Sequence, residues 1–362
     1  MSLIKVKSRG TDNVSGRKNL IINGDMKVAQ RGTSSTGSGY QTVDRFKTNF
    51  SGPAVTTTQH TLSTSDTPYS LGFRSSYQVH ITDPQTPDAA TDYAEIAYRT
   101  EAQDIANSGW NYTSASSNIT ISFWVLSTVA GTYSVYLRDL DGTYGYSFDY
   151  TVTANTWKKV THTVPGNANL VFNNDNGPGL VMYITLYYGT NYTGTKTDEA
   201  WLSHVSANQV GDYAQNILAT DEAKFEITGL QLEVGDSASD FEHRSFGEEL
   251  ALCKRYFQVV RQGIMGECTN ANGGCNWWYE FPVEMRAIPS VVCTKTVYRY
   301  GDMIAIGVEM TSISVSAGGY RSEKTAMWSV SGTASATPVQ YRVQLLEPQN
   351  ANHGDFQFSA EL

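Results

Sequence analysis

Charged side chains are scarce in this chain: Asp, Glu, Lys and Arg make up 17% of its 362 residues and leave a net charge of −9. That acidic excess argues against general nucleic-acid binding, which needs a basic face to displace counterions. No apolar run approaches the roughly 20 residues that span a bilayer. The opening Met1-Ser2-Leu3-Ile4-Lys5-Val6-Lys7 also lacks the apolar core of a secretion signal. The expectation is a soluble product made in a cytosol, with no membrane insertion. Cysteine is limited to Cys253, Cys268, Cys275 and Cys293, with 14, 6 and 17 residues between successive ones. No Cys-x-x-Cys or Cys/His zinc pattern results. Two readings stay open: buried free thiols, which a reducing cytosol favours, or a bridge from Cys268 to Cys275 across an Asn/Gly-rich turn.

Catalytic signatures are missing as well. There is no Gly-x-Ser-x-Gly elbow, His-Glu-x-x-His pair, Walker loop or dinucleotide fingerprint. The six histidines are scattered without metal spacing, so neither a metal nor a cofactor is expected. Carboxylates are available for glycosidic cleavage, among them Asp198, Glu199, Asp240 and Glu242, but sequence does not show which would face one another across a cleft. Asp139-x-Asp141-Gly142 begins like a calcium loop without its remaining ligands, and a hairpin turn accounts for it better.

What the chain has instead is Ser, Thr, Asn, Gly and 22 tyrosines, an all-β composition. Ile119, Ile121, Phe123 and Val125 alternate with polar or aromatic residues, as do Tyr133, Val135 and Leu137, so one face of each strand goes to a core. With many such strands and no 20–50-residue repeat, a jelly-roll β-sandwich is expected over residues 19–244. Ser245-x-x-Glu248 is a capping box, followed by the stripe Leu250, Cys253, Phe257, which predicts a linker helix over 245–259. Residues 260–362 begin a second, smaller β-sandwich. Residues 1–18 carry Lys5, Lys7, Arg9, Arg17 and Lys18 against Asp12, with too little apolar surface to fold alone. They form an extended arm, either a solvated tail or a docking peptide.

The first body is crowded with aromatic residues, several on the strand face opposite the aliphatic one. Such rings either fill core ends and interfaces or offer stacking platforms for sugars. Trp124, Tyr136 and Trp201 are the candidates for sugar contact, and Trp277 and Trp278 raise the same question in the second body.

Three motifs carry a resemblance. Asn19-Leu20-Ile21-Ile22-Asn23-Gly24-Asp25-Met26 with Lys27-Val28-Ala29-Gln30-Arg31-Gly32, and Ile227-Thr228-Gly229-Leu230-Gln231-Leu232-Glu233-Val234-Gly235 with Phe241-Glu242-His243-Arg244, are similar to the borders of the first domain in tail-fibre and related virion proteins of tailed bacteriophages. Glu248–Phe257 resembles their linker helix, while Phe281–Pro289 and Ala360-Glu361-Leu362 are similar to segments of fibre head domains. The bordered domain also resembles carbohydrate-binding jelly rolls. There the final strand often gives an Asp to a structural calcium, and here Thr228, Gly229 and Gln231 occupy that stretch.

The resemblance implies a homotrimeric, non-enzymatic virion fibre assembled in the bacterial host cytoplasm. Its arm, through Lys5, Lys7 and Arg9, would dock on other tail or capsid proteins, and its distal domains would bind host surface polysaccharide or another receptor during adsorption. Leu250, Cys253 and Phe257 would then be the trimer contacts. The alternatives are a capsid-decorating fibre of similar modules and a short tailspike glycan depolymerase.

Overall fold

The computed structural model describes residues 18–84, 90–195, 197–213, 215–261, 264–269, 274–302, 307–336, 341–346 and 355–362. Lys5, Lys7 and Arg9 lie outside the described residues. The chain forms two compact units, divided at Arg244/Ser245, except that Val28–Thr33 and Thr42–Arg45 belong to the second. Both are built almost wholly of antiparallel strands. No helix among the described residues is long and apolar enough to cross a membrane.

The first unit is a β-sandwich of the jelly-roll class. One six-stranded sheet runs, edge to edge, Ser34–Ser35, Ala54–Thr61, Ser75–Asp83, Lys224–Val234, Asn118–Ser127, Lys158–Pro165. The other runs Leu202–Ser203, Tyr144–Val152, Gly131–Asp139, Pro178–Tyr188, Tyr93–Glu101, Phe46–Ser51. Alternation works as expected: Ile119, Ile121, Phe123 and Val125 are all buried. Phe123 meets Tyr150 of the opposite sheet edge to face at 5.5 Å, and Phe225 meets Tyr133 at 5.3 Å, so the core lies between the sheets.

The Lys224–Val234 strand breaks its period once and still keeps its core face. Phe225 and Ile227 point inward, then Leu230 and Leu232, because a bulge between Thr228 and Gln231 shifts the register. Gly229 sits there at φ 65, and a Cβ on it would lie 2.7 Å from the Phe73 ring. The hairpin at Asp141-Gly142 is held by carboxylates: Asp139 accepts the Tyr144 amide at 2.6 Å, and Asp141 accepts the Asn173 backbone and side-chain amides at 2.8 Å each. Those acceptors are committed to turn formation.

In the second unit the capping box is present, Ser245 accepting from the Glu248 amide and Glu248 from the Ser245 amide, but the helix covers only Phe246–Lys254. The chain then enters a strand, Phe257–Val260, paired with Phe356–Ser359, which pairs in turn with Ser290–Cys293. Six further strands close into a barrel in the order Met265–Cys268, Cys275–Glu280, Thr325–Ala334, Gly307–Arg321, Tyr298–Asp302, Val343–Leu346. Trp277, Trp328, Tyr298 and Tyr300 fill it, and Trp328 also touches Phe356 and Phe358 of the three-stranded sheet at 5.2 and 5.0 Å. Cys268 and Cys275 stand directly opposite in the ladder and are joined by a disulfide, while Cys253 and Cys293 are free thiols.

Four segments of this unit meet in one buried polar cluster. The Arg45 guanidinium, with the side chain 0% exposed, lies 3.4 Å over the Tyr256 ring and donates to Glu361 at 2.5 Å. Arg31 covers the Phe257 ring at 3.5 Å and reaches the other Glu361 oxygen at 3.3 Å and Asp44 at 3.8 Å. Gln30 donates its backbone and side-chain amides to Asp44 at 3.0 and 2.5 Å. Burial pushes the Asp44 carboxyl up to about 6 against the pull of Arg31 and Gln30. Two of the three expected trimer contacts have partners within this unit. Phe257 is a strand residue under Arg31 and Cys253 is fully buried, so both are used inside their own unit, and Leu250 is half-buried.

Candidate functional site

The outer face of the Leu202-to-Phe46 sheet carries a surface groove rich in tyrosine. Strand alternation sends Tyr133, Val135 and Leu137 inward, which places Ser134, Tyr136 and Arg138 outward. In the same way Tyr93, Glu95 and Arg99 stand outward from one neighbouring strand and Tyr183 and Thr185 from another, with Tyr183 directly beside Tyr136. The Tyr136 and Tyr183 rings stack with centroids 6.3 Å apart, and Tyr93, Tyr188 and Tyr192 pack against one another at 5.4–6.4 Å. Loops held by Gln209 N–H to Tyr192 O at 3.0 Å and Gly194 N–H to Val210 O at 3.1 Å raise one wall. The result is a groove of about 250 Å³ lined by tyrosines together with Glu95, Arg138, His204, Ser206 and Gln209.

Its charges are arranged unequally. Glu95 is buried, which pushes its pKa up, while the Tyr188 hydroxyl, the Asn49 amide at 2.7 Å, Lys47 and Arg99 act the other way. His204 accepts or donates at the Tyr136 hydroxyl, 2.7 Å away, and burial followed by the charge of Arg138 lowers its pKa, favouring a neutral ring. Burial raises the pKa of Tyr183 and Tyr188, so both keep their phenolic protons. Arg138 is half-buried; its Nε is sealed from solvent without a hydrogen-bond partner, and among the described residues no ion pair is made by its guanidinium. Flat rings with hydroxyl, amide and guanidinium groups at their edges can stack a sugar ring and hydrogen-bond its substituents.

The residues singled out from sequence fall in five different places. Tyr136 is 4% exposed and lies beside the groove rather than among its lining residues, its ring stacked on that of Tyr183. Trp201 is 6% exposed, donates to Pro165 O at 2.7 Å and packs on Tyr146. Trp124 is half-buried on the opposite sheet, lining a separate cavity of about 370 Å³ with Phe73, Phe241, His243 and Lys159. Trp277 is 0% exposed inside the barrel, where no ring face is free for a ligand. Its neighbour Trp278 is 46% exposed on the barrel's outer surface near Met265 and Val343. Sequence reasoning passed over Tyr93, Glu95, Arg138, Tyr183 and His204. The available signal was the polar phase of three strands, Ser134-x-Tyr136-x-Arg138 the clearest. Among the described residues no three His, Cys, Asp or Glu side chains are grouped to hold a metal ion.

No protein-family model matches the chain, and comparison with curated proteins found no match. Solved structures with a similar course include the enzymatically active domain of bacteriophage CBA120 tailspike protein 4, at 10% identity and TM-score 0.34 over 60% of this chain and 21% of that one. The chain thus matches about a fifth of the tailspike's length. A cyclase from Fischerella sp. TAU matches at 9% identity and TM-score 0.34 over 62% of this chain and 100% of its own. The CBM22-1 xylan-binding domain of Paenibacillus barcinonensis Xyn10C matches at 10% identity and TM-score 0.29 over 62% of this chain and 99% of its own. Likenesses this distant assign neither an activity nor a ligand to this chain.

Proposed function

We propose that the protein is a non-enzymatic virion fibre of a tailed bacteriophage that binds host surface glycan in the tyrosine-walled groove of its first unit. The observation that carries the binding part is the groove itself: stacked tyrosine rings, protonated hydroxyls and a guanidinium around about 250 Å³. The virion part rests on the resemblance of the stretches at 19–32, 227–235 and 248–257 to fibre proteins. In this reading the basic arm docks on a tail or capsid protein, three chains associate, and the particle carries the protein. Sedimentation mass tests the trimer, and co-assembly with and without residues 1–18 tests the docking.

Binding without turnover is favoured over a depolymerase because glycosidic cleavage takes two carboxyl groups flanking the bond. Among the described residues that line the groove, Glu95 is the one carboxylate. The test is a glycan array with the intact chain, followed by Tyr183→Ala. Loss of a central stacking ring weakens binding about tenfold or more. Wild-type binding that Tyr183→Ala leaves unchanged refutes the groove assignment, and release of reducing ends from a bound polysaccharide refutes the non-enzymatic role.

A further inference from the structure

We infer that the groove selects glycans bearing a carboxylate, such as a uronic acid residue, and that Arg138 is the group that reads it; this rests on the glycan-binding reading above. Arg138 is unlike the other arginines with an enclosed Nε or Nη: Arg31 and Arg45 share Glu361, and Arg99 lies among the charges acting on Glu95. Arg138 lines the groove with a sealed Nε, and among the described residues it makes neither hydrogen bond nor ion pair. The two Nη groups, unlike the enclosed Nε, are not sealed, and a carboxylate bonding both of them meets the guanidinium charge in a bidentate geometry that no neutral hydroxyl reproduces.

Among the described residues no carboxylate pairs with Arg138, although its charge acts on the neighbouring Asp139. The Glu95 carboxyl is taken by Tyr188 and by Asn49 at 2.7 Å, and the charges acting on it are Lys47 and Arg99. Asp139, next in sequence to Arg138, points to the other side of the strand and accepts the Tyr144 and Val171 amides. Tyr183, whose ring stacks on Tyr136, offers a sugar a face beside the guanidinium, and Ser206 and Gln209 stand at the rim for its hydroxyls. A volume of about 250 Å³ is below the ~300–1,000 Å³ typical of drug-sized ligands, which suits one sugar residue or a chain end. The net charge of −9 repels a polyanion at long range, so selection depends on this local contact rather than on steering.

The test measures binding of the full chain to matched oligosaccharide pairs, one member ending in glucuronate or galacturonate and the other in its carboxyl-reduced counterpart, glucose or galactose. The uronate member should bind at least tenfold more tightly. Arg138→Gln should abolish that preference while the melting temperature stays near the wild-type value, and Arg138→Lys should keep part of it. The wild-type comparison needs no variant, so poor folding of either does not weaken the test. Equal binding of both members overturns the inference and leaves the glycan-binding reading standing, as does a preference that survives in Arg138→Gln. Failure to bind any glycan overturns both.

Discussion

Replacing Glu361 by Gln keeps the shape of the side chain and removes one charge from the buried cluster of the second unit. Glu361 bonds two arginines, Arg45 at 2.5 Å and Arg31 at 3.3 Å, and is itself 6% exposed. Breaking a buried pair by removing one partner costs about 3–5 kcal/mol, because the remaining ion stays desolvated. Two contacts soften this: Arg45 keeps the Tyr256 ring at 3.4 Å, worth ~1–2 kcal/mol in such settings, and the replacement amide would still offer one acceptor oxygen. The expectation for Glu361→Gln is therefore about 3 kcal/mol, the low end of that range. At 1.36 kcal/mol per decade this is roughly a hundredfold loss of protection in hydrogen exchange. The loss should appear at Phe257–Val260 and Phe356–Ser359, with strands of the first unit unchanged. Glu361 is also one of the influences holding the Asp44 carboxyl at about 6, so carbon-detected titration should show that value fall in the variant. The double replacement Arg45→Met with Glu361→Leu should recover most of the loss, since a packed apolar pair of similar volume is often neutral or better. A single variant that loses less than about threefold in protection, or a double variant worse than the single one, refutes the account of the cluster.

Gly229→Ala places a side chain at φ 65 against the Phe73 ring and should destabilise the first unit by about 2–4 kcal/mol, read as a lower urea midpoint; a loss under about 0.5 kcal/mol would contradict the bulge geometry. His162 stacks on Phe148 at 3.9 Å, and burial lowers its pKa against the opposing charge of Glu199. The unfolded chain therefore binds this proton more readily, and stability falls as pH drops below the ordinary value near 6.5. His60 acts in the opposite sense: its pKa is raised, chiefly by its hydrogen bond to Glu226, so its contribution is full below 6.5 and is lost as pH rises through the folded value. The informative measurement is thus the difference between wild type and His162→Gln in urea midpoints at pH 7.5 and 5.5. The variant should lose less on acidification, and parallel shifts would exclude His162 as a source of acid sensitivity.

The parts of this structure visible in the sequence are those set by local spacing. Ile119, Ile121, Phe123 and Val125 alternate and are all buried, Asp141-Gly142 turns a hairpin, and Ser245 with Glu248 caps a helix. Each needs information from fewer than ten neighbouring residues, which is the range over which propensity and periodicity act. The helix ending shows where that range stops. Its stripe runs on through Phe257, yet the chain leaves the helix after Lys254 because Phe356–Ser359, about a hundred residues away, takes the backbone of Phe257–Val260 into a sheet.

Trp277 and Trp278 show the same limit at the scale of one residue. Adjacent strand positions face opposite sides, so one of the two had to be enclosed and the other exposed. Which one depends on barrel closure, a property of six strands together. The stretches 27–32, 248–257 and Ala360-Glu361-Leu362 were each recognisable as segments, but their shared destination was not. Arg31 lies on Phe257 and binds Glu361, so what looked like separate signatures is one interaction set divided among distant stretches. The groove is dispersed in the same manner: Tyr93, Arg138 and Tyr183 come from three strands and His204 from the loop after Leu202–Ser203, and the sheet's strand order makes the first three neighbours. A surface site of this kind leaves a faint mark in sequence, a polar phase such as Ser134-x-Tyr136-x-Arg138 on a strand whose other phase is aliphatic. That mark gains meaning when one member, here Arg138, makes no hydrogen bond or ion pair among the described residues, whereas Arg31 and Arg45 both bind Glu361.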